Sequence, residues 1–212
     1  MVGVGISRAA GHTAGSVRLG LCSALLAGLH TNAATLQVQL RDAAARPLAD
    51  AVVFLESREA QSASRPFQGV EIAQVAKQFE PKVTVIPVGT LVRFPNRDTV
   101  RHHVYSFSPV KTFELKLYSG SSASPVLFDR PGIAVLGCNI HDNMAAWVVV
   151  VETPYYGRSN ATGLAQLGNV PAGSYRLRAW HPAMPVGAPA LDQALVVGAE
   201  PVSLSLQVPV AP

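Results

Sequence analysis

The chain has 212 residues, 14% of them charged and 49% hydrophobic, with 17 Gly and 16 Pro. That length allows one or two domains; so little charge with so many turn formers excludes a coiled coil or a charge-rich disordered chain and favours a turn-rich β protein. The net charge is +4, of which Arg8 and Arg18 fall in a stretch read below as removable, so no basic surface for nucleic acid is indicated. No apolar run reaches the roughly 18 residues of a bilayer-spanning helix, which argues against stable membrane insertion.

Arg8, His12 and Arg18 precede the apolar stretch LGLCSALLAGL (19–29), followed by small or polar residues through TNAAT (31–35). This order predicts a secretory leader over 1–33, cut near Ala33 or Ala34, and export to the periplasm. Leu21, not a small residue, precedes Cys22, which opposes a lipid anchor there. Export leaves Cys138 as the single cysteine in an oxidising compartment, unable to close an intramolecular disulfide. Either it is an inert core thiol or something uses it.

Beyond the leader, short alternating or β-branched runs predict strands over 36–40, 51–55, 83–86, 90–94, 103–107, 132–136, 147–151, 174–179 and 202–208, with the turn spacing of β-sandwiches. The polar stretch 59–66 reads as a linker and TPYYG (153–157) as a second break, giving pieces 35–58, 67–153 and 154–212. The first piece is too short to hold a core alone. It either pairs with the third, leaving the middle inserted in a surface loop, or docks as a hairpin on the middle of two tandem units; the core-size argument favours insertion.

The middle piece carries Cys138-Asn-Ile-His141-Asp-Asn-Met144, a C-x2-H-x2-M sequence between two predicted strands, and upstream the pair His102-His103. A thiolate, two imidazoles and a thioether are the ligands of a trigonal His2Cys copper site with a weak axial Met. Each part alone is weak: C-x2-H occurs in zinc sites, a lone Met is more often core, and a His pair on a strand is often polar surface. Adjacent strand residues point to opposite faces, so only one of His102 and His103 can reach the ion. Trp147 and Phe107 read as core, His181 as surface or structural, and Arg97, Arg101 and Lys111 as a thin docking edge.

Residues 67–153 resemble the cupredoxins, the small blue copper proteins, through QVAKQFEPKVTVIPVGTLVRFPNRD and the C-x2-H-x2-M loop. Amicyanin-like members share that short loop and an Asn six residues before the first ligand His; from Asn96 this counts to His102. The resemblance implies one mononuclear type 1 copper held by His102, Cys138, His141 and Met144, with Asn96 tying the upstream strand to the Cys-containing loop. The texts LQVQLRDAAARPLADAVVFLE and GLAQLGNVPAGSYRLRAWHP resemble a carboxypeptidase-regulatory or transthyretin-like sandwich. The expected fold is therefore all-β: a cupredoxin Greek-key β-sandwich over 67–153, inserted in or packed beside a discontinuous second sandwich over 35–58 plus 154–212.

Four protein ligands leave no open position for a substrate, and Cys138 lacks the flanking histidines of multicopper oxidases, so the resemblance implies no catalytic residues and no enzyme. It implies a periplasmic carrier of single electrons, docking weakly with a c-type cytochrome or a periplasmic dehydrogenase. Chains of this layout look like those labelled methylamine utilisation proteins, a label that does not fix the partner. The alternative is a copper-binding or delivery protein that does not cycle the ion; a third reading is an adhesion module whose cupredoxin-like part has lost its metal.

Overall fold

Alternation builds the first strand: in β1 (Ala33–Arg41), Ala34, Leu36, Val38 and Leu40 are buried and the residues between them face outward, the period of two that a pleated strand imposes. A computed structural model describes residue 1 and residues 33–120 and 124–211. The expected leader over 1–33 thus lies outside the described residues, save for its two ends. The chain continues through β2 (Val52–Glu56), helix α1 (Arg58–Ala63), β3 (Val70–Glu71), β4 (Ala73–Val75), β5 (Gln78–Glu80), β6 (Val83–Pro87), β7 (Thr90–Arg93), β8 (His102–Ser108) and β9 (Lys111–Tyr118). It then forms β10 (Val126–Phe128), β11 (Gly132–Cys138), β12 (Ala145–Val151), β13 (Tyr156–Arg158), β14 (Leu164–Pro171), β15 (Gly173–Trp180), β16 (Leu191–Val197) and β17 (Val202–Gln207). The protein is nearly all β, and among the described residues no helix is long and apolar enough to cross a membrane.

The stretch 59–66, expected as a plain linker, instead begins with most of α1. Ser57 supplies the cap, its Oγ accepting the N–H of Ala60 at 3.1 Å, which satisfies one of the donors a helix start leaves open. Polarity alone reads such a segment as loop; the capping serine is the local signal that it turns.

Five sheets result. The orders β14-β1-β17 and β13-β2-β15-β16 draw their strands from the two ends of the described chain, whereas β10-β7-β3, β6-β12-β11-β8-β9 and the hairpin β4-β5 draw theirs from its middle. β1 lies between β14, antiparallel, and β17, parallel. The turn at Ala172 passes the chain from β14 in one outer sheet to β15 in the other.

The run Trp147-Val-Val-Val-Val151 has no polar residue because β12 is covered on both faces, the pattern of a strand packed from two sides. Ala146, Val148 and Val150 join the inner core with Phe94, Val104, Phe128, Ala134 and Leu136. Val149 and Val151, with Val83 from β6, join the outer core with Leu36, Leu55, Leu167 and Leu177. The five-stranded sheet is thus a wall shared by both cores, within the compact unit Thr31–Pro212.

Candidate metal centre

One end of that wall gathers the chemistry. β11 and β8 run antiparallel with Gly137 opposite Tyr105 and Cys138 opposite Val104, so the last residue of β11 and the first of β8, His102, meet at the same edge. Gly137 lets the strands approach: a Cβ there would lie 2.7 Å from the Tyr105 ring. Between β11 and β12 the chain reverses in six residues, closed by the Met144 N–H donating to the His141 carbonyl at 3.0 Å.

The donor atoms of His102, Cys138 and His141 all lie within 4.8 Å of one another. Nδ1 of His102 is 3.9 Å from Sγ of Cys138, and the two imidazole centroids are 5.0 Å apart. His102 and Cys138 are buried and His141 half-buried. Met144 is 1% exposed, packs in the same core as Cys138 and lines the same cavity. Nδ1 of His141 is buried without a hydrogen-bond partner. A buried polar atom left unpaired costs about 1–3 kcal/mol, and a ligand is what would relieve it. Metal bonds of about 2.0 Å to imidazole and 2.3 Å to thiolate, the zinc values, keep two such donors within roughly 4.3 Å, which the His102–Cys138 pair satisfies. The residues present therefore fit a single soft or borderline ion.

His103 turns to the other face of β8. Its Nε2 lies 2.9 Å from Oε1 of Glu114, off the line of a hydrogen bond, and its ring sits edge-on to Tyr105. The strand period separates the two histidines as expected, although β8 is irregular between His102 and Val104.

Asp98 is part of the site, and the sequence reading passed over it. Its Oδ2 lies 2.7 Å from Nε2 of His102, while Oδ1 accepts the Ala76 N–H at 2.6 Å and Oδ2 the Lys77 N–H at 2.9 Å. Burial pushes its carboxyl up, but the Lys77 N–H, the His102 ring and the Ala76 N–H outweigh it and hold the pKa below the usual value. A spacing of four outside a helix is no signal; only the β4-β5 turn reveals the contact. Tyr118, opposite His102 in the β8-β9 ladder, is pushed up to about 12 by burial, against the Gln74 hydrogen bond and with help from Cys138.

Of the remaining expectations some hold and others do not. The hydrogen bonds of Asn96 run from Nδ2 to the carbonyls of Val100 and Tyr118, with Oδ1 accepting the Asp98 N–H; it pins the turn before β8 and the end of β9 instead of the Cys138 loop, because its side chain points along its own turn. Phe107 is 71% exposed, since its strand position faces away from the core. Trp147 does pack against a core, the outer one, with its ring centroid 6.4 Å from that of Trp180. Both rings line a cavity of about 850 Å³ that also reaches Cys138, Met144 and Val186. Arg97 pairs with Glu71 and Lys111 with Asp129, the latter at the far turn of the β8-β9 hairpin, so these cations do not form one edge. His181 is structural: Nε2 meets the Ala49 carbonyl and Nδ1 accepts the Ala183 N–H, both at 3.0 Å.

No protein-family model matches the chain and no curated protein does. Solved structures similar to part of it include a purple cupredoxin from Nitrosopumilus maritimus, 22% identical over 39% of this chain and 99% of that one, TM-score 0.35. A reduced Cu(I) amicyanin variant is 19% identical over 47% of this chain and 98% of its own, TM-score 0.37. The copper-containing nitrite reductase of Thermus scotoductus is 23% identical over 53% of this chain and 28% of its own, TM-score 0.37. These are partial likenesses; the fold and the cluster stand on the pairings and distances given above.

Proposed function

We propose that the protein is a type 1 copper protein that carries single electrons between periplasmic redox partners, with His102, Cys138 and His141 as the close ligands and Met144 as the weak axial one. The observation that carries this reading is the convergence of two ring nitrogens and one sulfur, with Nδ1 of His141 buried and unpaired. Soft sulfur with imidazole selects copper over hard cations. Bound there, the ion supplies a one-electron couple.

The chain's own residues do the rest. Cys138 and His102 sit on hydrogen-bonded strands of the shared wall, so the donors stay nearly fixed when the charge at the site changes. The core around Phe94 and Leu136 leaves Cys138 and Met144 almost without solvent exposure. His141 is half-buried beside Ile140, which is 48% exposed, so a c-type cytochrome or a dehydrogenase would exchange electrons at that edge. The protein is read as a carrier and not an enzyme, because four side chains complete the coordination. Strands from 35–58 and 154–212 are read as a discontinuous outer sandwich of transthyretin-like type; the pairing of β1 with β14 and β17 supports this.

Copper titration of the full chain, followed by visible absorption, tests the assignment. One equivalent should raise an intense thiolate-to-copper band that ascorbate bleaches and air or ferricyanide restores, and Cys138→Ser should abolish it. A band that survives in the serine variant refutes the site; copper that binds but is handed to an acceptor without reversible cycling favours delivery.

A further inference from the structure

We propose that Asp98 is a positioning residue for the metal centre: it fixes the imidazole of His102 in the tautomer whose bare Nδ1 faces Cys138, and anchors that ring to the turn between β4 and β5. The metal half of this inference rests on the copper reading; the tautomer half does not.

Ring nitrogens share one proton in neutral imidazole, and the partner of one nitrogen decides the state of the other. Oδ2 of Asp98, 2.7 Å from Nε2, is an acceptor with no proton to give, so Nε2 carries the hydrogen and Nδ1 keeps its lone pair. The carboxylate is itself held. It takes the amides of Ala76 and Lys77, whose φ values of 49° and 58° are left-handed, a conformation costing L-residues roughly 1–2 kcal/mol each. The strained turn aims both amides at one carboxylate. His102 is fully buried, so water cannot replace Asp98 at Nε2. Carboxylate partners of this kind raise the donor strength of a ligating imidazole, and losing one typically costs about 10–100-fold in metal affinity.

The test uses the full chain and Asp98→Asn, which keeps a carbonyl oxygen for the Ala76 N–H but, with the amide nitrogen in place of Oδ2, gives up the Lys77 contact and turns a donor toward Nε2. In metal-free wild-type protein, ¹⁵N NMR should show His102 protonated at Nε2 only; in the variant the proton should move to Nδ1. Cu(II) affinity should fall about 10–100-fold and the reduction potential should rise, since the weaker donor favours Cu(I). A wild-type ring protonated at Nδ1, or a variant with unchanged tautomer, affinity and potential, overturns the proposal. If wild-type protein takes up no copper, the copper reading falls while the NMR result still decides the role of Asp98. If the variant does not fold, the wild-type spectrum decides alone.

Discussion

In the outer sheets, the described polar groups that turn inward are paired: Ser159 Oγ donates to the Leu48 carbonyl at 2.7 Å and accepts the Ala51 N–H at 2.9 Å, and both ring nitrogens of the half-buried His181 are engaged. Around the inner sheets, Oε1 of Gln74, Oγ1 of Thr84 and Nδ1 of His141 are buried without hydrogen bonds, whereas Nε2 of His103 has the Glu114 carboxylate 2.9 Å away. Each orphan is unfavourable by about 1–3 kcal/mol. One set of sheets thus pairs its buried polar groups while the other leaves some unpaired, and of these only Nδ1 of His141 belongs to the candidate metal centre. The shared wall lets the first core support the second.

Two substitutions break that comparison if it is wrong. Leu177→Ala opens a cavity in the outer core, where Leu177 is 1% exposed, and should lower the unfolding free energy by about 2–5 kcal/mol in denaturant titration of metal-free protein. His141→Ala removes a buried orphan and should leave the metal-free protein as stable or up to roughly 1–3 kcal/mol more so, while abolishing the copper band. A loss as large as that of Leu177→Ala would mean the inner site is ordinary packing.

A smaller effect sharpens the contrast. Burial pushes the Asp42 carboxyl up, but the Arg46 N–H, the Arg46 guanidinium and the Ala44 N–H together hold its pKa below the model-peptide 3.8. Its contribution is present above that value and is lost as pH falls through the lower folded-state pKa. Asp42→Asn should therefore flatten the acid limb of the stability profile without changing copper binding; an unchanged limb would show that Asp42 contributes nothing to it.

The longer strands with a buried face were legible, whereas the short β4 and β10 were not. The alternation of 36–40 and the unbroken run 147–151 both mark strands, because burial dictates composition there. The edge strands β9 and β16 were not: Lys111–Tyr118 and Leu191–Val197 are largely exposed, so packing leaves little imprint on them. The residue types of the candidate ligands were readable from order and spacing, and the period of two separated His102 from His103. Asp98 was not readable, since its contact depends on a turn that brings residues 76 and 77 to it. Nor was the outward aim of Phe107, which strand period alone does not settle.

The entry and exit of the middle segment are clasped: Gln61 Nε2 donates to Glu152 Oε1 at 2.9 Å and the Leu55 N–H to the Tyr155 carbonyl at 2.9 Å. Gln39 bonds to Thr162 across 123 positions, a loop whose closure in a disordered chain costs about 4 kcal/mol of entropy before any constant term. If strands 70–151 condense first, they draw their own ends together and shorten that loop to a few links. In that order β1 waits unpaired until β14 and β17 follow, and the half that carries the candidate metal centre would be the template on which the rest of the molecule closes.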